Sequence, residues 1–208
     1  MRTLRPPLRM LFLTAPLVLV AGLGAGAAEK PLSVSYEQVL TTAKGSFVTK
    51  VWIKGDKKRV ETADGREIDI VQGNTYVQIF PEQGFARRMP LAAAPSAPMP
   101  AAANKVSADG KTTTAAGTKP KNTDMVADLP CKLYELKSGE GVTRIWISDR
   151  LPFPLKWEEV DPGAGKFSYE VKNLKFADDI PEEYFQVPSG FKIVNAEPDD
   201  LPPELKNP

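Results

Sequence analysis

Between Val142 and Val171 three stretches place apolar residues at every second position, and this one-residue period restricts the available folds more than any other feature of the chain. Val142, Ile145 and Ile147 are broken by Thr143, Arg144, Trp146 and Ser148. Phe153, Leu155 and Trp157 alternate with Pro154, Lys156 and Glu158, and Phe167, Tyr169 and Val171 with Ser168, Glu170 and Lys172. Such alternation sets apolar groups on one side of a strand and charges on the other. The glycine- and proline-containing breaks at 137–141 and 161–165 supply the backbone angles of hairpin turns. The stretch from Cys131 to Ile193 therefore predicts an antiparallel sheet with one apolar side.

The same grammar governs the first half. Strands are expected over Phe47–Lys54, Lys58–Thr62, Arg66–Val71, Thr75–Phe80 and Phe85–Met89. Turns fall at Gly55-Asp56-Lys57, Asp64-Gly65, Gly73-Asn74 and 81–84, where glycine and asparagine tolerate positive φ. Lys30–Lys44 opens with Leu32, Val34 and Tyr36 at period two and reads as a further strand, although its second half could begin a helix. Turn signals recurring about every 8–12 residues describe an all-β meander.

Pro90–Thr123 differs in kind. It is rich in Ala, Pro, Thr, Ser, Gly and Lys and holds no aromatic residue. Ordering a chain costs about 1–2 kcal/mol per residue, and this segment has little apolar surface to offset it. It reads as a long flexible insertion between two halves of one sheet, or as a mobile flap over a cavity. A domain boundary is the alternative, but each half would then keep an open edge. Past Phe176, residues 178–185 suggest a single helical turn, with Pro181 at an early position and acids in the first turn. Residues 187–193 form a turn and a terminal strand, and 196–208 a proline-rich, acidic, disordered tail.

Residues 1–28 have the three parts of a secretory signal peptide: Arg2, Arg5 and Arg9, the apolar run Met10–Leu23, and a small-residue site at Ala25-Gly26-Ala27. The run is short for a span of about 20 residues, so the mature chain is expected to be exported and not integral to a membrane. No cysteine near the cleavage site would carry a lipid anchor. Cleavage removes three of the 27 basic and none of the 26 acidic residues, leaving 24 against 26, a formal charge of −2. No clustered positive surface suggests nucleic acid. Lys54, Lys57, Lys58 and Arg59 lie close together, but Asp56 and Glu61 interrupt them, as in a polar turn. Cys131 is the one cysteine, so no internal disulfide can form. Among Leu129, Leu133 and Tyr134 it reads as a small buried thiol.

The chain contains no histidine, which excludes Ser-His and Cys-His nucleophile pairs and histidine zinc sites. No phosphate-binding glycine loop is present: Gly22, Gly24 and Gly26 lie in the leader, and Gly163 and Gly165 in a hairpin turn. Adjacent Glu158 and Glu159 point to opposite faces of a strand. The pairs 178–179, 182–183 and 199–200 sit in turn or tail contexts where solvated charge is the default, so neither a glycosidase-type pair nor a calcium site is expected. The sequence predicts no enzyme, no metal and no cofactor.

Val51–Glu61 (VWIKGDKKRVE) followed by Ile79–Gln83 (IFPEQ) resembles an exported bacterial group with a Lys-Gly-Asp-Lys-x-Arg signature. CKLY at Cys131, IWIS at Ile145, LPFPLKW at Leu151 and FQVPSGFK at Phe185 follow in matching order. Together they resemble the uncharacterised periplasmic relatives of the outer-membrane lipoprotein carriers, the LolA-like superfamily, over Val34–Ile193 apart from the insertion. The resemblance implies a mainly β fold, a single curved antiparallel sheet forming an open half-barrel over 30–193. It further implies a concave face that binds acyl chains and a location in the periplasm of a Gram-negative bacterium. The carriers open on an amphipathic lid helix, whereas Lys30–Lys44 alternates like a strand.

An apolar sheet face needs a cover, and the cover visible in the sequence is a polar insertion and one helical turn. A lipid acyl chain or a lipidated protein is therefore the expected ligand. The alternation nominates Phe47, Val51, Ile53, Ile68, Ile70, Val77, Ile79, Leu155, Trp157, Phe167, Tyr169 and Val171 as its lining. Plain core packing accounts for the same residues. Trp52 and Trp146 fall on the charged side, as rim aromatics or a patch for an envelope partner. The alternative function is accordingly a non-enzymatic interaction module with a dry core.

Overall fold

A computed structural model describes residues 31–94, 120–138, 141–161, 165–177 and 179–196. The expected signal peptide, most of the insertion and nearly all of the tail lie outside them. Within the described residues, twelve strands build one open sheet: β1 (Ser33–Thr42), β2 (Gly45–Lys54), β3 (Lys57–Thr62), β4 (Ile68–Gln72), β5 (Thr75–Phe80), β6 (Phe85–Pro90), β7 (Asn122–Val126), β8 (Leu129–Ser138), β9 (Gly141–Ile147), β10 (Pro154–Asp161), β11 (Gly165–Phe176) and β12 (Lys192–Asn195). Their spatial order is β12-β6-β5-β4-β3-β2-β1-β11-β10-β9-β8-β7. The two halves are meanders joined along β1 and β11. The expected strand is β1, Ser33–Thr42, with no helix in its second half, and it lies at the centre of the sheet.

Three details depart from the expectation. The sheet is not wholly antiparallel, because β12 runs parallel to the edge strand β6. Pro90 ends β6, while Asn122 and Thr123 already belong to β7, so both ends of the expected insertion carry structure. The β7–β8 hairpin turns on Ala127 (φ 48°) and Asp128 (φ 61°). Its two-residue turn demands positive φ at both positions, and neither residue advertises that as Asn-Gly would.

Cross-strand register shows how the apolar surface is laid out. Tyr36, Val51, Val60, Asp69, Gln78 and Arg87 stand opposite one another in turn from β1 to β6 and so share a face. One residue along, Trp52, Arg59, Ile70, Val77 and Arg88 share the other. The Tyr36 face is apolar in β1–β3 and turns polar at β4; the Trp52 face is polar in β2–β3 and turns apolar at β4. The sheet therefore has no single apolar side. The change of side falls between β3 and β4, at the turn holding Gly65 (φ 69°).

The larger core cluster takes Val34, Tyr36, Val51, Ile53 and Val60 from the first half. To these it adds Leu155, Trp157, Tyr169 and Val171 from the second. Its rings pack on one another: Trp157 lies 5.2 Å from Phe167 and 6.1 Å from Tyr169, and Tyr36 stacks on Phe153 at 5.3 Å. Cys131 is buried in this cluster with its thiol against the Leu129 carbonyl at 3.4 Å. Trp146, expected at a rim, is buried too. Its indole N–H donates to Asp124 Oδ2 (2.8 Å), and the Lys156 ammonium sits 4.8 Å from its ring. In β11 a bulge opposite Ser35–Glu37 sets Asn173 in the left-handed region (φ 52°), and its side-chain N–H donates to Glu37 Oε2 (2.7 Å).

Leu155 is fully buried in the larger cluster, whereas Met125 is 67% exposed on the edge strand β7. Leu155→Ala is expected to cost about 2–5 kcal/mol through lost burial and a residual cavity. Met125→Ala should stay within about 0.5 kcal/mol of the parent. Urea unfolding of both variants, with unchanged m-values, checks the pair.

Candidate functional site

The apolar patch on the Trp52 face is Ile68, Ile70, Val77, Ile79 and Ala86. The C-terminal segment from Asp179 to Asn195 covers it as a strap, burying Ile180 and Phe185 against it, with Val187 and Phe191 packed alongside. The expected helical turn is the four-residue 3-10 turn Glu182–Phe185, and Phe185 is its inward residue. This is why so acidic a segment still docks: Ile180 and Phe185 point in while Asp179, Glu182 and Glu183 stay out.

Two of those acids find partners. Lys54 Nζ lies 2.6 Å from Asp179 and 2.9 Å from Glu182, and donates to the Ile180 carbonyl at 2.9 Å. Lys57 pairs with Glu182 as well. Arg59 donates to the Tyr184 carbonyl (3.2 Å), and its guanidinium lies 5.9 Å from the Trp52 ring, which is tilted against Tyr184 at 5.6 Å. The Lys54 hydrogen bond holds the Asp179 carboxyl below its ordinary range. Hydrogen bonds from Lys57 and then Lys54 do the same for Glu182. At its far end the strap becomes β12, tied by Lys192 N–H to the Gly84 carbonyl (3.1 Å) and Ala196 N–H to the Arg88 carbonyl (2.8 Å).

Between these anchorages the strap stands off the sheet and leaves a cleft of about 460 Å³. Ile70, Val77, Phe185, Val187 and Ile193 form its apolar lining. Gln72, Thr75, Gln186 and Arg88 supply the polar groups. The size falls within the range of about 300–1,000 Å³ typical of small-molecule sites.

The twelve residues nominated by alternation divide between the two clusters. Phe47, Val51, Ile53, Leu155, Trp157, Phe167, Tyr169 and Val171 belong to the larger one, Phe47 and Phe167 at its margin. Ile68, Ile70, Val77 and Ile79 belong to the patch under the strap, and of these Ile70 and Val77 border the cleft. Alternation alone misses Gln72, Thr75, Arg88 and the whole strap contribution. A sequence signal for the latter exists in the apolar residues Ile180, Phe185 and Val187 set into an acidic, proline-containing stretch.

A second concentration of chemistry lies on the Tyr36 face where it turns polar. Lys58 and Asp69 are only 4% and 5% exposed, so Lys58 is no solvated turn residue. Tyr76 donates to Asp69 Oδ1 at 2.6 Å. Arg87 donates to Gln78 Oε1 at 2.6 Å, and Gln78 in turn donates to Glu67. Burial pushes the Asp69 carboxyl up to about 7 against the partial relief of the Tyr76 hydrogen bond. It also raises Glu67 and lowers Lys58 to about 8, the nearby Asp69 charge opposing the latter.

No protein-family model matches the chain, and no curated protein matches it in sequence. Among solved structures, an uncharacterised conserved protein from Thermus thermophilus aligns with a TM-score of 0.54 at 10% identity. The match covers 79% of this chain and 91% of that one. A chain in the Pseudomonas aeruginosa MucA/MucB complex aligns at 0.52 and 11% identity, over 80% of this chain and 59% of that chain, so this protein spans about three-fifths of its length. A LolA superfamily protein from Nitrosomonas europaea matches at 0.32 and 11% identity, over 77% of this chain and 92% of that one. The likeness to the first two is one of fold alone, a mainly β chain built on one large open sheet.

The buried charges make stability depend on pH. The folded chain keeps the Asp69 proton between pH 3.8 and about 7, where the unfolded chain has released it, so stability falls as pH rises through that window. The folded chain releases the Lys58 proton from about 8, before the unfolded chain does at 10.5, so stability climbs again above 8. Denaturant midpoints should pass through a minimum between about pH 7 and 8. Asp69→Asn, which still accepts from Tyr76, should flatten the acid side of that curve. Separately, Lys54→Met should speed amide exchange in Lys192–Asn195 and in the Glu182–Phe185 turn while leaving β1 and β2 unchanged, read by hydrogen-exchange mass spectrometry.

Proposed function

We propose that this protein is an exported, non-enzymatic binding protein that shelters an apolar chain, the acyl tail of a lipid or lipidated protein, against its sheet in a carrier or chaperone role. The observation that carries the reading is the apolar cleft between β4–β6 and the strap. It has preformed walls on two sides and polar groups grouped among apolar ones, the usual composition of a site that holds an amphiphile. Its cover is anchored at one end by the Lys54 and Lys57 ion pairs and at the other by backbone hydrogen bonds to β6, with Ile180 and Phe185 buried against the patch. The basic leader followed by the Met10–Leu23 run supports export to the periplasm. Among the described residues, no helix is long and apolar enough to cross a membrane.

A second reading, a binding module for an envelope protein, draws on two observations. The chain shares its fold with a chain from the MucA/MucB complex. Among the described residues β7 ends the sheet, so one of its sides has no strand beside it, and an extended peptide could add there by strand pairing.

Native mass spectrometry of the full chain recovered from the cell, followed by solvent extraction and lipid analysis, tests the first reading. Acyl species should accompany the parent protein. Val187→Trp, which fills the cleft from the strap side, should carry at least about tenfold less of them while keeping its melting temperature within a few degrees. A parent protein that emerges free of lipid, or a Val187→Trp variant with an undiminished load, argues against the cleft as the site.

A further inference from the structure

Among the described residues the cleft under the strap has one charged side chain, Arg88, and no acidic one. Arg88 lies on the same face as Val77, its register partner on β5, and it borders the cleft together with Gln72 and Gln186. Among the described residues the Arg88 side chain takes part in no ion pair and no side-chain hydrogen bond. Its neighbours on the same face are treated differently. Lys54, Lys57 and Arg59 are each committed to the strap or to Glu61. On the opposite face, Arg87 is committed to Gln78.

Resting on the reading of the cleft as a ligand site, we infer that it selects a single-chain anionic amphiphile, a long-chain carboxylate. The tail lies among Ile70, Val77, Phe185 and Val187, and the carboxylate is held by the Arg88 guanidinium. Two physical arguments choose this class. Arg88 is exposed at the cleft, and a tail entering beside it covers part of its side chain. Covering a cation without a counter-charge is costly, whereas a carboxylate meets the guanidinium fork with two parallel hydrogen bonds. A neutral chain leaves Arg88 stranded and a cationic one repels it. The volume gives the second: about 460 Å³ suits a single chain of small-molecule size. Gln72 and Gln186 add amide donors to the same cleft, which reinforces the preference for an acceptor-rich head.

The test uses the full chain and the uncharged fluorescent probe N-phenyl-1-naphthylamine, displaced by laurate, by dodecanol or by dodecyltrimethylammonium, all below their micellar concentrations. Laurate should displace the probe at least about tenfold more effectively than either of the others, the factor expected for one charge-assisted pair. Arg88→Gln should lose that advantage with probe affinity unchanged, and Arg88→Glu should invert the order in favour of the cation. Equal displacement by all three competitors in the parent, or an Arg88→Gln variant that keeps the laurate preference, overturns the assignment to Arg88 and leaves the cleft intact as an apolar site. A folded parent protein that binds no probe overturns the ligand cleft itself, and this inference with it.

Discussion

The arrangement of this protein follows from where alternation changes side. Within each strand the apolar residues keep period two, yet between β3 and β4 the buried set moves from the Tyr36 face to the Trp52 face. A sheet that stayed apolar on one side would need one covering layer. This sheet needs burial on both sides, because Ile68, Ile70, Val77 and Ile79 emerge on the side where β2 and β3 present Lys50, Trp52, Arg59 and Glu61. Burying those four side chains is worth roughly 1.5–3 kcal/mol each, far more than any surface ion pair nearby. The strap exists to achieve it.

The charges of the strap then take a definite role. Lys54, Lys57 and Arg59 lie at the β2–β3 hairpin, on the polar half of the Trp52 face, and the strap's start carries Asp179 and Glu182, the partners of the two lysines. Ion pairs this exposed supply little stability, but they fix direction and register. They deliver Ile180 and Phe185 onto the patch and not onto the polar half. The far end is fixed by backbone hydrogen bonds to β6 instead, where β12 also occupies an edge that would otherwise be free for intermolecular pairing. A segment pinned at both ends but arching between them leaves a gap, and the cleft is that gap.

Much of the fold was legible because period two and turn chemistry are local. Gly55, Gly65 and Gly73 all have positive φ at the turns assigned to them, and the strands they separate fall within a residue or two of expectation. The β7–β8 hairpin was not legible, since Ala127 and Asp128 hold left-handed geometry that the surrounding sheet imposes and their identities do not signal. The change of side was invisible for a different reason. Alternation fixes which residues of one strand share a side; the phase between neighbouring strands depends on turn length and register, as the β3–β4 connection shows. For that reason the twelve nominated lining residues mixed two surfaces. The strap was underread because its apolar residues are few among many acids and prolines, a composition that usually marks a frayed end.

The same logic bears on the polar half of the Tyr36 face. Lys58, Asp69, Tyr76, Gln78 and Arg87 occupy positions that apolar residues hold in β1 and β2, and all but Arg87 are buried there. A buried charged group is costly unless paired and hydrogen-bonded, and a half-satisfied network costs more than an apolar core. Here Tyr76 serves Asp69, while Arg87 and Glu67 meet through Gln78, so the network is largely closed, with Arg87 Nε left without a partner. Specificity is the physical return on such a cost. Apolar residues at all these positions would make both faces of β4–β6 equivalent, and the strap could dock on either. With charge on one face and Ile68, Ile70, Val77 and Ile79 on the other, the strap has one place to go. The cleft it encloses therefore forms on that second face, where Arg88 is the one charged side chain among the described residues of its lining.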